Sequence, residues 1–140
     1  MKNSILLVED ELLISKALKR SLERLGFQVT TAATVEAGLL KSAKNRFDVI
    51  VTEFNVRSQR RNQPRAGNGL NFIRKIRANS DCVPILVYTA MAGESYEQAA
   101  AEAGADGFLS QKNGLSQLLS MISESAKSHR QRPQSSLDQN

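Results

Sequence analysis

The chain has 140 residues, 41% hydrophobic and 24% charged, which is the length of one domain and the balance of an ordinary globular protein. No apolar run approaches the roughly 18–20 residues of a membrane span, and the run after Met1 is too short for a signal-peptide core, so a cytoplasmic protein with no membrane partner is expected. A single cysteine, Cys82, and a single histidine, His129, exclude a disulfide framework and a multi-cysteine zinc site.

The net charge of +5 raises nucleic acid as a partner, but its location argues against one. Arg57, Arg60, Arg61 and Arg65 share one mid-chain stretch, and Lys127, Arg130 and Arg132 lie near the C-terminus. Both stretches read as loops, with neither aromatic interleaving nor a recognition helix, so solvated surface is the expectation.

Residues 4–8 are a short apolar run and predict a strand. Over 11–25, Leu13, Ala17, Leu18, Leu22 and Leu25 recur at helical spacing, and Gly26 supplies a stop. Residues 27–31 are β-rich. A helix over 34–44 follows, with Thr34 as its cap and Glu36 in its first turn. The Val-Ile-Val core of 47–51 suits a strand buried on both faces. From 54 to 68 no period survives; this connection exceeds the usual 2–6 residues of a βα loop. Gly67-Asn68-Gly69 reads as a turn, and Leu70, Ile73 and Ile76 mark a third helix. Strands over 83–88 and 106–110 bracket an alanine-rich helix over 94–103 that ends at Gly104. Leu115, Leu118, Leu119 and Ile122 mark the last helix. Residues 1–126 are thus expected to form the domain, and 127–140 a polar, disordered tail. Cys82, placed before a strand, is expected to act as a small buried hydrophobe. His129, in the polar tail, has no expected catalytic role.

Strict strand–helix alternation specifies an α/β fold: a (βα)5, doubly wound, five-stranded parallel sheet with helices on both faces, flavodoxin-like in plan. Sites in such sheets lie at the carboxyl ends of the strands. That edge collects Glu9-Asp10-Glu11, Glu53-Phe54-Asn55, Thr89-Ala90 and Gln111-Lys112. Packed carboxylates repel unless a cation compensates or one is protonated. Oxygen donors in that number suit Mg²⁺, with Glu9, Asp10, Glu53 and the Asn55 carbonyl as candidate ligands and weak affinity expected. The plainer reading of Thr89 is a strand-end hydroxyl capping the next helix, and of Phe108 ordinary core.

These residues, in this order, resemble the response-regulator receiver domain of two-component signalling over about residues 3–126. The carriers are Ile5-Leu6-Leu7-Val8-Glu9-Asp10, Phe47-Asp48-Val49-Ile50-Val51-Thr52-Glu53, Pro84-Ile85-Leu86-Val87-Tyr88-Thr89-Ala90 and Gly104-Ala105-Asp106-Gly107-Phe108-Leu109-Ser110. The resemblance implies an acid pair for Mg²⁺ at Glu9 and Asp10 and a phospho-acceptor position at Glu53. It further implies phosphoryl contacts at Thr89 and at Gln111 or Lys112, and a switch aromatic at Phe108.

The chain departs from the family pattern at three places. Glutamate stands where the family has the acceptor aspartate. Gln111 stands where its lysine is expected, with Lys112 one residue late. The loop after the third strand is about twice the family's length and arginine-rich. Glutamate carries its carboxylate about 1.5 Å further out, and a misplacement of about 1 Å can cost 10²-fold in rate. A neutral amide also removes a fixed cation that would balance phosphoryl charge. Lys112 compensates only if the backbone turns it inward, because successive strand residues point oppositely.

The expected function is therefore a stand-alone atypical receiver in phosphorelay signalling that acts by protein contact rather than as an enzyme. Its partner would be a histidine kinase or a downstream effector. The docking face would be the fourth helix, fifth strand and fifth helix, with Tyr96, Phe108 and Leu115; a homodimer is the other option. The alternatives are a conventional Mg²⁺-dependent phosphoacceptor, a flavin protein or another doubly wound enzyme. Against flavin, acids after the first strand would repel a phosphate. For the arginine-rich insertion, 57–67, polar composition favours a mobile loop over an arginine folded onto the acids.

Overall fold

The computed structural model describes residues 3–79 and 81–130. Five strands form one sheet in the order β2-β1-β3-β4-β5, with every pairing parallel. They are β1 (Ser4–Val8), β2 (Gln28–Ala32), β3 (Val49–Thr52), β4 (Ile85–Thr89) and β5 (Gly107–Ser110). Between and after them lie α1 (Leu12–Arg24), α2 (Val35–Lys44), α3 (Asn68–Ala78), α4 (Glu94–Ala103) and α5 (Leu115–Arg130).

The period of two along each strand divides the core in two. Leu6, Val8, Ile50, Ile85 and Val87 face α2, α3 and α4, packing on Val35, Phe72, Ile73, Ile76 and Ala100. Ile5, Leu7, Val49, Val51, Leu86 and Tyr88 face α1 and α5, meeting Leu18, Leu22, Leu118, Ile122 and Ala126. The central strands β1, β3 and β4 are buried on both faces, which is why they read as continuous apolar runs rather than alternation.

Element order and type agree with the sequence reading; some ends move for local reasons. β4 begins at Ile85 because Pro84 has no N–H for the ladder, although its carbonyl still accepts Ile50 N–H at 2.8 Å. Thr34 caps α2 as expected, accepting Ala37 N–H at 3.1 Å. α5 continues to Arg130, past the expected boundary at 126; the remainder of the expected tail, 131–140, lies outside the described residues. Cys82 is exposed, not buried, because it sits in the irregular segment before β4 rather than in the strand.

The largest difference is the insertion, whose backbone is pinned rather than loose. Val56 is fully buried in the core, and Arg57 O accepts Val35 N–H at 3.0 Å. Glu36 accepts Ser58 Oγ–H and Gln59 N–H, both at 2.7 Å. Burial acts to raise the Glu36 carboxyl, but these two donors outweigh it and hold the group below its ordinary range. Asn68 Nδ2 donates to Val56 O at 3.1 Å and to Pro64 O at 2.7 Å, drawing the two ends of the loop together. Polar composition did not foretell this, because the ties come from acceptors on α2 and from one buried valine.

Candidate functional site

Register brings the strand ends level: Val8 pairs with Thr52, Thr52 with Val87, and Thr89 with Ser110. The residues that follow therefore meet in one open cleft, lined by Glu9, Asp10, Glu53, Asn55, Thr89 and Gln111 together with Arg65 from the insertion. Seven of the eight residues singled out from the sequence gather at this edge or on the adjoining β5; Lys112 does not line the cleft. Its side chain is exposed on a 3₁₀ turn over Gln111–Asn113, where Ser110 Oγ accepts its N–H at 3.3 Å.

Glu53 sits just beyond β3, its N–H donating to Val8 O at 3.0 Å. Its Oε1 accepts Phe54 N–H at 2.8 Å and its Oε2 accepts Gln111 Nε2–H at 3.4 Å. The buried Thr89 hydroxyl faces the same carboxylate, and its oxygen accepts Met91 N–H at 3.3 Å. Desolvation raises the Glu53 pKa, and these donors only partly offset it. Gly69 allows this geometry. A Cβ there would lie 2.1 Å from Glu53 O, so no other residue lets α3 start so close to Glu53.

Glu9 is buried, and desolvation lifts its carboxyl to about 7, with repulsion from Glu53 and Asp10 adding to the rise. Its Oε2 accepts Glu11 N–H at 3.1 Å, which serves the start of α1 where Glu11 itself provides no side-chain cap. Asp10 Oδ2 accepts Arg57 N–H at 2.8 Å and pairs with Arg65 Nε at 3.3 Å; the Asp10 side chain is only 4% exposed. The Asn55 side chain is spent on Gly67 N–H, accepted at 3.0 Å. Phe108 is half-buried against the α2–α4 face of the core, as is Tyr96, whose ring meets Phe54 edge-on at 5.3 Å.

The family of the response regulator receiver domain matches residues 5–123. The chain belongs to this family. The KDP operon transcriptional regulatory protein KdpE of Escherichia coli (strain K12) is 34% identical over 126 residues, covering 90% of this chain and 52% of that protein. The response regulator MprA of Mycobacterium leprae (strain TN) is 34% identical over 118 residues, covering 84% and 48%. This receiver thus spans about half the length of these curated relatives. Among solved structures, the chemotaxis response regulator CheY4 of Vibrio cholerae superposes with a TM-score of 0.76 at 27% identity, covering 89% of this chain and 99% of that one. The Francisella response regulator 1452 receiver domain gives 0.79 at 18% identity over 90% and 98%, a likeness of fold. No helix among the described residues is long and apolar enough to cross a membrane.

Receiver domains generally bind Mg²⁺ at this edge, and the donors here can be tested for it. Asp10 Oδ2 is already committed to a backbone N–H and a guanidinium, Glu9 Oε2 to a backbone N–H, and both Glu53 oxygens to N–H donors. Among the described residues no group of three or more His, Cys, Asp or Glu is arranged to hold a metal. As placed, one oxygen each of Asp10 and Glu9 and both of Glu53 are turned to N–H donors, with which a divalent ion would have to compete.

The sequence favoured a mobile insertion over an arginine folded onto the acids; the structure instead sets Arg65 against Asp10. The signal for it was proximity: four arginines in the loop that follows β3.

Proposed function

We propose that this receiver relays its signal by protein contact without accepting a phosphoryl group, Glu53 serving as a permanent stand-in for a charged acceptor. The observation that carries the reading is the engagement of Glu53. Gln111 already donates to its carboxylate and the Thr89 hydroxyl faces it, and both stand at the family's phosphoryl-contact positions. An incoming phosphoryl group would have to displace those contacts and would find a neutral amide where a fixed cation is needed. Lys112, the nearest ammonium in sequence, is turned to solvent.

On this reading the domain is a binding module, not an enzyme. Its partner is a histidine kinase or an effector that docks on the face of α4, β5 and α5. Tyr96, Phe108 and Leu115 are each half-buried there and offer mixed apolar area. Any Mg²⁺ affinity is weak, because the ion must compete with donors already on Asp10.

Incubation with a small phosphodonor and Mg²⁺, followed by intact mass, tests the proposal. No phosphoryl mass is expected on the native chain, whereas the double variant Glu53→Asp, Gln111→Lys should gain it. A phosphoryl group mapped to native Glu53 would overturn the reading.

A further inference from the structure

We infer that Arg65 is the built-in cation of this acidic cleft and occupies the place beside Asp10 that a divalent ion would take. Asp10 is almost wholly buried and stands next to Glu9, so its charge must be matched by something at hand. Arg57 N–H and Arg65 Nε converge on one oxygen, Oδ2, at 2.8 and 3.3 Å. A guanidinium keeps its proton at any physiological pH and is more weakly hydrated than an ammonium. Mg²⁺, by contrast, dehydrates reluctantly and needs near-octahedral oxygen donors.

The insertion is built to deliver that group. Asn68 Nδ2 holds Pro64 O at 2.7 Å, Asn68 N–H donates to Arg65 O at 3.1 Å, and Gly67 N–H donates to Asn55 Oδ1 at 3.0 Å. The backbone on both sides of Arg65 is therefore fixed, while its side chain remains 48% exposed and reaches inward from the rim. The loop length that departs from the family pattern thus has a physical use: it carries a countercharge into the site. The inference stands apart from the reading of Glu53, since Asp10 keeps its partner whether or not Glu53 accepts phosphate.

Because Arg65 and a divalent ion would claim the same carboxylate, removing one should favour the other. Mn²⁺ alone is the probe, read by paramagnetic broadening of amide resonances and by titration calorimetry. The native chain should show no selective broadening around Asp10 and Asn55. Arg65→Gln should show it, with affinity higher by on the order of tenfold, and adding Asp10→Asn should abolish the gain. Equal Mn²⁺ binding by native and Arg65→Gln chains would overturn the inference. Should Arg65→Gln fail to fold, the native Nε–H resonance decides. A shifted, slowly exchanging signal that collapses in Asp10→Asn supports the inference, and one identical to free arginine overturns it. A phosphoryl group found on Glu53 would refute the proposed function and leave these outcomes unchanged.

Discussion

Two arginine–aspartate pairs sit at opposite edges of the sheet, and they are built in opposite ways. At the carboxyl edge, the Asp10 side chain is the buried member and Arg65 is half exposed, touching it through Nε at 3.3 Å. At the amino edge, Arg77 is the more buried member. Its Nε donates to Gly104 O at 2.9 Å, its Nη1 to Asp81 O at 2.8 Å and Val83 O at 2.7 Å, and its Nη2 pairs with Asp106 Oδ2 at 2.9 Å. Asp106 in turn accepts Ile85 N–H at 2.9 Å. The second arrangement joins α3, the end of α4 and the start of β4 and β5 through one side chain. The first neutralises an acid through a single contact that water or an ion can replace. A pair that satisfies several backbone carbonyls is a structural joint, whereas a lone contact at a rim is a countercharge.

The comparison breaks most readily at the amino edge. Arg77→Ala leaves three carbonyls without their donor, and thermal or urea unfolding should register a loss of about 2–4 kcal/mol. A loss below about 1 kcal/mol would put the two pairs in the same class.

A somewhat smaller effect is expected from Glu9. Its folded pKa of about 7 lies above the ordinary 4.5, so between those values the folded chain holds a proton that the unfolded chain has released. Its contribution therefore favours the fold most below pH 4.5 and declines as pH rises toward 7, by at most about 3 kcal/mol. Unfolding measured across that window should show this decline, and Glu9→Gln should flatten it. An unchanged slope in the variant would show that the cleft is wetter than its burial indicates.

The smallest effect sharpens the comparison. Arg65→Gln should cost about 1 kcal/mol or less, because the arginine is half exposed and Arg57 N–H still caps the acid. Millimolar Mg²⁺ should restore that loss in the variant and leave the native melting temperature unmoved. A loss as large as that of Arg77→Ala would show that the rim arginine is a structural joint as well.

The sequence by itself determined the strand–helix alternation, the parallel sheet and the edge where function collects. These follow from periodicity and from right-handed crossovers, which act over a few residues at a time. It also placed Glu53 at the carboxyl end of an inner strand, because the Val-Ile-Val-Thr run before it suits burial on both faces. Tertiary structure alone decided what each polar group does there. Lys112 turns to solvent because the chain enters a 3₁₀ turn at Gln111. Glu36, a first-turn acid of α2 as read, also holds the insertion through Ser58 and Gln59, and Arg77, which carried no sequence signal, ties α3 to two strands. Arg65 reaches Asp10 across 55 positions of chain only because Val56 is buried and Asn68 closes the loop. Hydrophobic spacing records which face of an element is inside; it carries no record of which donor meets which acceptor across distant segments, and that pairing fixed the charge of this site.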